Sequence, residues 1–261
     1  MNGEEIRQIL KNGGKVYGTM LCMCQNPRWA GTLAGTGLDY VIIDTEHSAF
    51  SRSEVAELCH SFSRAGITPI VRVPIPSSHY VTMALDGGAQ GVLVPYCESI
   101  SQVKEAVAAA RYRPLKGVLA EMAIDIGELP SEETKQYLER MNKGNVVMIG
   151  IESTPALMNL EEILAVDGID VIFIGPNDLS ISMGIPNQYT HPDFDTAIQR
   201  VIRTCDTHNV AVAIHLFDLQ LAAKWVKEGM RFVLHSMDTH TLREGFRHDF
   251  NELRSFDKDK Q

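Results

Sequence analysis

The chain reads as a (β/α)8 barrel forming a single α/β domain, on three observations. Eight short apolar strands recur along its 261 residues, amphipathic helical stretches separate them, and no linker or shift in composition divides it. Strands alternating with helices over ~250 residues are the mark of this barrel, and a doubly wound open sheet is the runner-up. Residues 1–261 are therefore one domain.

The elements follow in order. The opening MNGEEIRQILKNGGKV is a charged amphipathic helix rather than an apolar signal segment. The predicted strands are KVYGTM (15–20), YVIID (40–44), TPIVRV (68–73), GVLVPY (91–96), VVMIGIE (146–152), VIFIG (171–175), VAVAIH (210–215) and RFVLHS (231–236). Most are runs of Val and Ile rather than alternations of apolar and polar residues, as parallel strands buried on both faces require. Between them, stretches such as RSEVAELCHSFSRAG, ISQVKEAVAAARY and LQLAAKWVKEGM place apolar residues at i, i+3 and i+4. The interval 113–145 is longer than one crossover needs, which predicts an extra helix around SEETKQYLERM beside the barrel mouth. The glycines of AGTGLDY precede a strand rather than follow one, so they read as a helix stop and not as a nucleotide loop.

Composition excludes several classes of function. With 24 basic against 33 acidic residues the net charge is −9, and no basic stripe offsets it, which disfavours nucleic acid. No apolar run approaches the ~18 residues of a membrane span. Five cysteines without a CxxC spacing indicate neither a disulfide framework nor a zinc site. The expectation is a soluble cytoplasmic protein.

In such barrels, chemistry gathers at the carboxyl ends of the strands. The stretch DYVIIDTEHSAFS runs from apolar Tyr40 to Ile43 straight into Asp44, Thr45, Glu46 and His47. Ionisable groups at the end of a buried strand are costly unless paired, metal-bound or employed. His47 ends the second strand, Arg72 lies near the end of the third, Glu152 ends the fifth and Asp178 follows the sixth. Both pairs are one αβ unit apart, so four charged side chains face one mouth. Two carboxylates with no His or Cys beside them make a hard oxygen site suited to Mg²⁺ or Mn²⁺, with waters completing the octahedron. A 2-oxo acid fits such an ion, because its carboxylate and ketone oxygens can both bind. Loss of a proton from the adjacent carbon gives an enolate, whose charge the metal and Arg72 would stabilise. His47 is the natural base, and Asp44 and Asp86 are candidates to orient it or an intervening water.

The segments DYVIIDTEHSAFS, PIVRVP, MALDGGAQGVLVPYCES, IGIESTPALMNLEEILAVDGIDVIFIGPNDLSISMG and GMRFVLHSMD, taken together, resemble the metal-dependent class II pyruvate aldolases. The 4-hydroxy-2-oxoheptanedioate aldolase type is nearest, within the wider aldolase and citrate lyase family. The resemblance covers roughly residues 15–240. It implies a barrel that cleaves 4-hydroxy-2-oxo acids to pyruvate and an aldehyde, and that runs the addition in reverse. It implies Glu152 and Asp178 as metal ligands, with Mg²⁺ or Mn²⁺ and then Co²⁺ as candidates. It further implies His47 as base acting through water, Arg72 at the ketone oxygen, Asp86 as partner to His47 and Asp44 near the metal waters. The amides around Gly175, Asn177 and Asp178 would take the oxo acid's carboxylate. A homo-oligomer is expected, a hexamer built as a trimer of dimers, in which a helix at about 240–254 packs on a neighbour.

The chain departs from that pattern at Gly150, where relatives carry Gln, at Lys116, where they carry Arg, and at His215 and His235, where smaller or apolar residues are usual. These departures leave the aldehyde partner open. His215 and His235 read as rim histidines bonded to backbone rather than as ligands. Taken singly, Glu152 and Asp178 are also ordinary helix-capping residues. Arg72 alone is also a rim ion pair with Asp44 or Glu46, and Asp86 alone is a surface acid at a helix end. Oxaloacetate decarboxylation, an acyl-CoA lyase, a racemase or isomerase using the same base, and a non-catalytic oxo-acid-binding barrel are the competing functions.

Overall fold

A computed structural model describes residues 1–258. Eight parallel strands close into a barrel in chain order: β1 Val16–Leu21, β2 Tyr40–Asp44, β3 Thr68–Arg72, β4 Gly91–Val94, β5 Val146–Ile151, β6 Val171–Ile174, β7 Ala211–Leu216 and β8 Phe232–Met237. Every predicted strand is present, with no end displaced by more than two residues. The fourth stops at Val94, because Pro95 lacks a ladder donor and Tyr96 turns to a φ of 49°.

The helices are α1 Gly3–Lys11, α2 Trp29–Leu33, α3 Arg52–Arg64, α4 Ser78–Asp86, α5 Ile100–Arg111, α6 Val118–Asp125, α7 Glu132–Asn142, α8 Thr154–Met158, α9 Leu160–Leu164, α10 Pro176–Ser182, α11 Pro192–Thr207, α12 Leu219–Lys227 and α13 Asp238–Lys258. Local sequence sets their starts. Asn2 with Glu5, Ser51 with Glu54 and Ser99 with Gln102 form reciprocal capping boxes at α1, α3 and α5. No described helix is long and apolar enough to cross a membrane.

The period-2 pleat divides each strand between two cores. Residues such as Val16, Met20, Tyr40, Ile42, Ile70, Met148, Phe173 and Ala213 fill the barrel interior. Their neighbours Val41, Ile43, Val71, Ile149, Ile174 and Ile214 pack outward against the helices. Helix α1 plugs the amino end with Ile6 and Leu10. Gly18 is required beside Tyr40, since a Cβ there would lie 2.4 Å from the ring. At the same end Asp170 accepts from Arg7 Nε at 2.9 Å, Arg111 Nη2 at 2.6 Å and the Val147 amide at 2.9 Å, joining α1, α5 and β5.

The expected extra helix exists as α7. Both α6 and α7 pack against α5. The insertion leaves from the end of α5 and returns to the start of β5, and between them α6 runs back along α5 until Asp125 meets Lys104 Nζ at 2.7 Å.

Candidate active site

The alternation that builds the core also aims the site. Counting inward positions past Ile42, Ile70, Met148 and Ala213 brings Asp44, Arg72, Gly150 with Glu152, and His215 into the carboxyl mouth. Asp44 and Arg72 are register partners across β2 and β3.

Asp44 is fully buried and heavily bonded. Its Oδ1 accepts from Arg72 Nε at 2.8 Å, the Glu46 amide at 3.0 Å and the His47 amide at 3.4 Å. Burial alone would raise its pKa, but the Arg72 hydrogen bond and charge, with those two amides, hold it below the ordinary value. The rim ion pair weighed for Arg72 is therefore real. It does not exclude a function, because the guanidinium is fixed at the mouth and spans a second carboxylate, with Nη1 3.2 Å from Glu46 Oε2.

Glu152 is 3% exposed, and its Oε1 has no hydrogen-bond partner among the described residues. Burial and the nearby carboxylates of Glu46 and Asp178 push its pKa up to about 8, with Arg72 and the Tyr96 amide opposing. Its side chain occupies a slot that only glycines leave open. A Cβ on Gly150 would stand 2.8 Å from Oε1, and one on Gly175 would stand 2.9 Å from both Cγ and Cδ. Gly150 thus leaves room for the carboxylate.

Asp178 lies exposed in the first turn of α10, close enough for its charge to act on both Glu46 and Glu152. Pro176 has no N–H, so Asn177 and Asp178 supply the amides that open this helix. His47 lies three residues beyond the end of β2, on the rim, with Nε2 3.8 Å from Glu46 Oε2 and its side chain 66% exposed. Asp86 is not brought to this mouth within one chain. It ends α4, where the chain turns back toward the start of β4, and its carboxylate takes a hydrogen bond from Arg113 Nη1 at 3.0 Å. It lines two outer grooves of about 690 and 700 Å³ beside α4.

Two participants escaped the sequence reading. Glu46, weighed only as a partner for Arg72, has a carboxyl raised by burial and shares its field with Glu152 and Asp178. Cys22, not singled out in the sequence, sits in the mouth with Sγ 3.8 Å from Asp44 Oδ2. The signal for both was parity along the strand: Cys22 follows Met20 inward, and Glu46 shares the polar run that ends β2. His215 and His235 lie at the rim as expected. Nε2 of His215 bonds the Ser236 carbonyl at 2.9 Å, whereas Nδ1 of His235 is buried without a partner among the described residues.

Among the described residues, no three His, Cys, Asp or Glu side chains converge as a preformed metal cage. The arrangement is instead a pair of carboxylates, Glu152 and Asp178, facing a fixed guanidinium. It can hold a hard cation on one side of a small oxo acid and stabilise negative charge on the other.

Residues 19–245 match the family model described as HpcH/HpaI aldolase/citrate lyase. A hydroxypyruvate/pyruvate aldolase of Roseobacter denitrificans is 30% identical over 240 residues, which cover 90% of this chain and 91% of that protein. A 4-hydroxy-2-oxo-heptane-1,7-dioate aldolase of Klebsiella pneumoniae is 32% identical over 241 residues, 92% of this chain and 89% of the relative. The crystal structure of an HpcH/HpaI aldolase from Desulfitobacterium hafniense superposes with a TM-score of 0.83 at 30% identity, covering 95% of this chain and 96% of the other.

Proposed function

We propose, on the premise that the chain belongs to the HpcH/HpaI aldolase/citrate lyase family, that it is a divalent-metal-dependent aldolase. It cleaves a 4-hydroxy-2-oxo acid to pyruvate and an aldehyde, and it also runs the addition. The observation that carries this reading is Glu152, a carboxylate buried in the mouth with one oxygen unpartnered and two further carboxylates nearby. Such a cluster calls for a cation. Glu152 and Asp178 would hold it, and an all-oxygen set favours Mg²⁺ or Mn²⁺, with Co²⁺ a further candidate. When bound, the ion supplies Lewis-acid polarisation of the substrate's ketone.

The protein's own residues do the rest. Arg72, held by Asp44 and Glu46, donates to the ketone oxygen and stabilises the charge that grows there as the adjacent carbon loses its proton. His47 at the rim takes that proton. Asp44 holds Arg72 and the amides of Glu46 and His47 together, so it positions both groups. The amides of Asn177 and Asp178, after Gly175, receive the substrate carboxylate.

The test follows loss of the pyruvate methyl protons into D₂O by NMR, with Mn²⁺, with EDTA, and in Glu152→Ala and His47→Ala variants. The reading requires metal-dependent exchange that both variants lose, and absence of exchange under every metal ends it.

We also infer a homo-oligomer in which α13 packs on a neighbouring subunit. Leu242, Phe246, Phe250 and Leu253 form an exposed apolar stripe along that helix, which supports a covered face. A monomeric mass by light scattering would rule this out.

A further inference from the structure

We propose that His215 is a specificity-determining residue, a fixed hydrogen-bond acceptor for a hydroxyl on the aldehyde substrate, so that the enzyme favours 2-hydroxyaldehydes over unsubstituted ones. The inference rests on the aldolase reading above and concerns its second substrate.

His215 follows Ala211 and Ala213 on the inward face of β7, so the imidazole stands above two small residues at the mouth. It is near enough to Arg72 and Asp44 for their charges to act on it. Its tautomer is determined by its partner. Nε2 lies 2.9 Å from the Ser236 carbonyl, which can only accept, so Nε2 carries the hydrogen and Nδ1 presents a lone pair. Burial, with the Arg72 charge, pushes the imidazole down to about 4, which keeps it neutral at pH 7. Nδ1 has no partner among the described residues and is open to solvent, unlike the sealed Nδ1 of His235.

The ring is also held in place. Ser236, at a φ of 60°, turns its carbonyl to His215 and ties its own Oγ to His240 Nδ1 and Thr241 Oγ1, both at 3.0 Å. Phe217 packs its ring centroid 4.8 Å from His215 and 4.9 Å from His240. An acceptor fixed in advance loses little entropy on binding, which is how a single hydrogen bond gains discriminating power.

The ligand chemistry follows. Pyruvate offers two carboxylate oxygens, a ketone and a methyl group, none of which donates, and those oxygens are served by Arg72 on β3, across the barrel from β7, and by the amides that open α10 beside β7. An unsubstituted aldehyde likewise has no donor. It would shut Nδ1 off from solvent and leave the lone pair bare, a loss that a hydroxyl on the carbon next to the aldehyde repairs.

The experiment measures kcat/KM for addition of pyruvate to glycolaldehyde and to propanal, close in size and differing by a hydroxyl for a methyl, in the wild type and in His215→Leu and His215→Asn variants. Intrinsic aldehyde reactivity cancels when the ratio is compared between proteins, and circular dichroism checks the fold of each variant. The ratio should fall by about tenfold in His215→Leu, the size of one neutral hydrogen bond, and largely return in His215→Asn, whose amide oxygen can take the place of Nδ1. An unchanged ratio in His215→Leu overturns the proposal. So does a change that appears when hydroxypyruvate replaces pyruvate but not when the aldehyde is varied, because the hydroxyl would then belong to the donor. Wild-type protein that fails to exchange pyruvate protons with Mn²⁺ removes the aldolase reading itself, whereas exchange with an unaltered ratio removes only the role of His215.

Discussion

Asp44 and Arg72 stand opposite each other in the β2–β3 register, and Arg72 Nε donates to Asp44 Oδ1 at 2.8 Å. The pair is buried, so the guanidinium that serves the mouth is held by the same carboxylate that organises the loop carrying His47.

Replacing Arg72 by Lys therefore does more than preserve a charge. An ammonium cannot bridge Asp44 and Glu46 with the fixed fork of a guanidinium. Proton exchange from pyruvate should fall by about 10²–10³ in Arg72→Lys, the usual cost of removing one aimed donor. In Arg72→Leu, Asp44 is left buried and unpaired, and urea unfolding should show a loss of roughly 3–5 kcal/mol. A leucine variant as stable as wild type would mean that Asp44 finds another partner.

Glu152 gives a pH dependence of defined sign. Its carboxyl is raised to about 8 in the folded metal-free protein, so the folded state holds a proton that the unfolded chain releases near pH 4.5. That contribution to stability is complete below the unfolded value and is lost as pH rises toward 8, with a slope of at most ~1.4 kcal/mol per pH unit. Glu152→Gln should flatten the slope in thermal melts from pH 5 to 8. Mn²⁺ should raise the wild-type Tm more at pH 8 than at pH 5, because only the ionised carboxylate binds it. Equal metal shifts at both pH values would contradict the assignment.

Much of this was legible in the sequence, for physical reasons that differ by residue. The β strands are apolar runs buried on both faces, and burial is what periodicity reports, so all eight strands were found. Arg72 and Glu152 were visible because ionisable residues at the ends of such runs have few structural uses. Asp86 is not brought to the mouth within one chain, because its helix reverses direction and carries it toward the opposite end of the barrel, where it pairs with Arg113. The slot around Glu152 could not be read, since it depends on a glycine of β5 and another at the start of α10 meeting one side chain.

Gly175→Ala tests that slot. The added methyl would lie 2.9 Å from Cγ and Cδ of Glu152, so the carboxylate must swing aside while the backbone, extended at Gly175, accommodates alanine. Mn²⁺ affinity by titration calorimetry should weaken by about 10–100-fold, as when the support of a ligand is lost, with the circular dichroism spectrum retained. Unaltered affinity would show that Glu152 is not a ligand.

Asp170 tests the opposite end of the barrel. It is shared by Arg7, Arg111 and the Val147 amide, so Asp170→Ala leaves two part-buried guanidiniums without their carboxylate, held only by the carbonyls of Lys143, Asn145 and Gly168. Denaturant unfolding should show a loss of roughly 3–5 kcal/mol. Aldol kinetics below the lowered Tm should match wild type, since the cluster lies a full strand length from the mouth.

Asp238 is the clamp that sequence inspection passes over. Its Oδ2 accepts from the consecutive amides of Cys22, Met23 and Cys24 at 3.1, 2.8 and 2.8 Å, while Oδ1 caps Thr239 at 2.8 Å. One carboxylate thus fixes the loop after β1 to the start of α13, in the manner of a backbone anion nest. The same loop carries the two thiols, and burial together with nearby carboxylates pushes both up to about 12, so neither is a ready nucleophile. In Asp238→Asn the amide cannot accept three N–H groups at one oxygen with full charge, and the loop should open locally. Stability should drop by roughly 1–3 kcal/mol, the cost of unpaired buried polar groups. Labelling of Cys22 and Cys24 by a disulfide reagent should accelerate well beyond what the change in global stability allows. If labelling tracked global unfolding alone, the carboxylate would be a helix cap at Thr239 and nothing more, and the loop beside Asp44 would owe its order to packing.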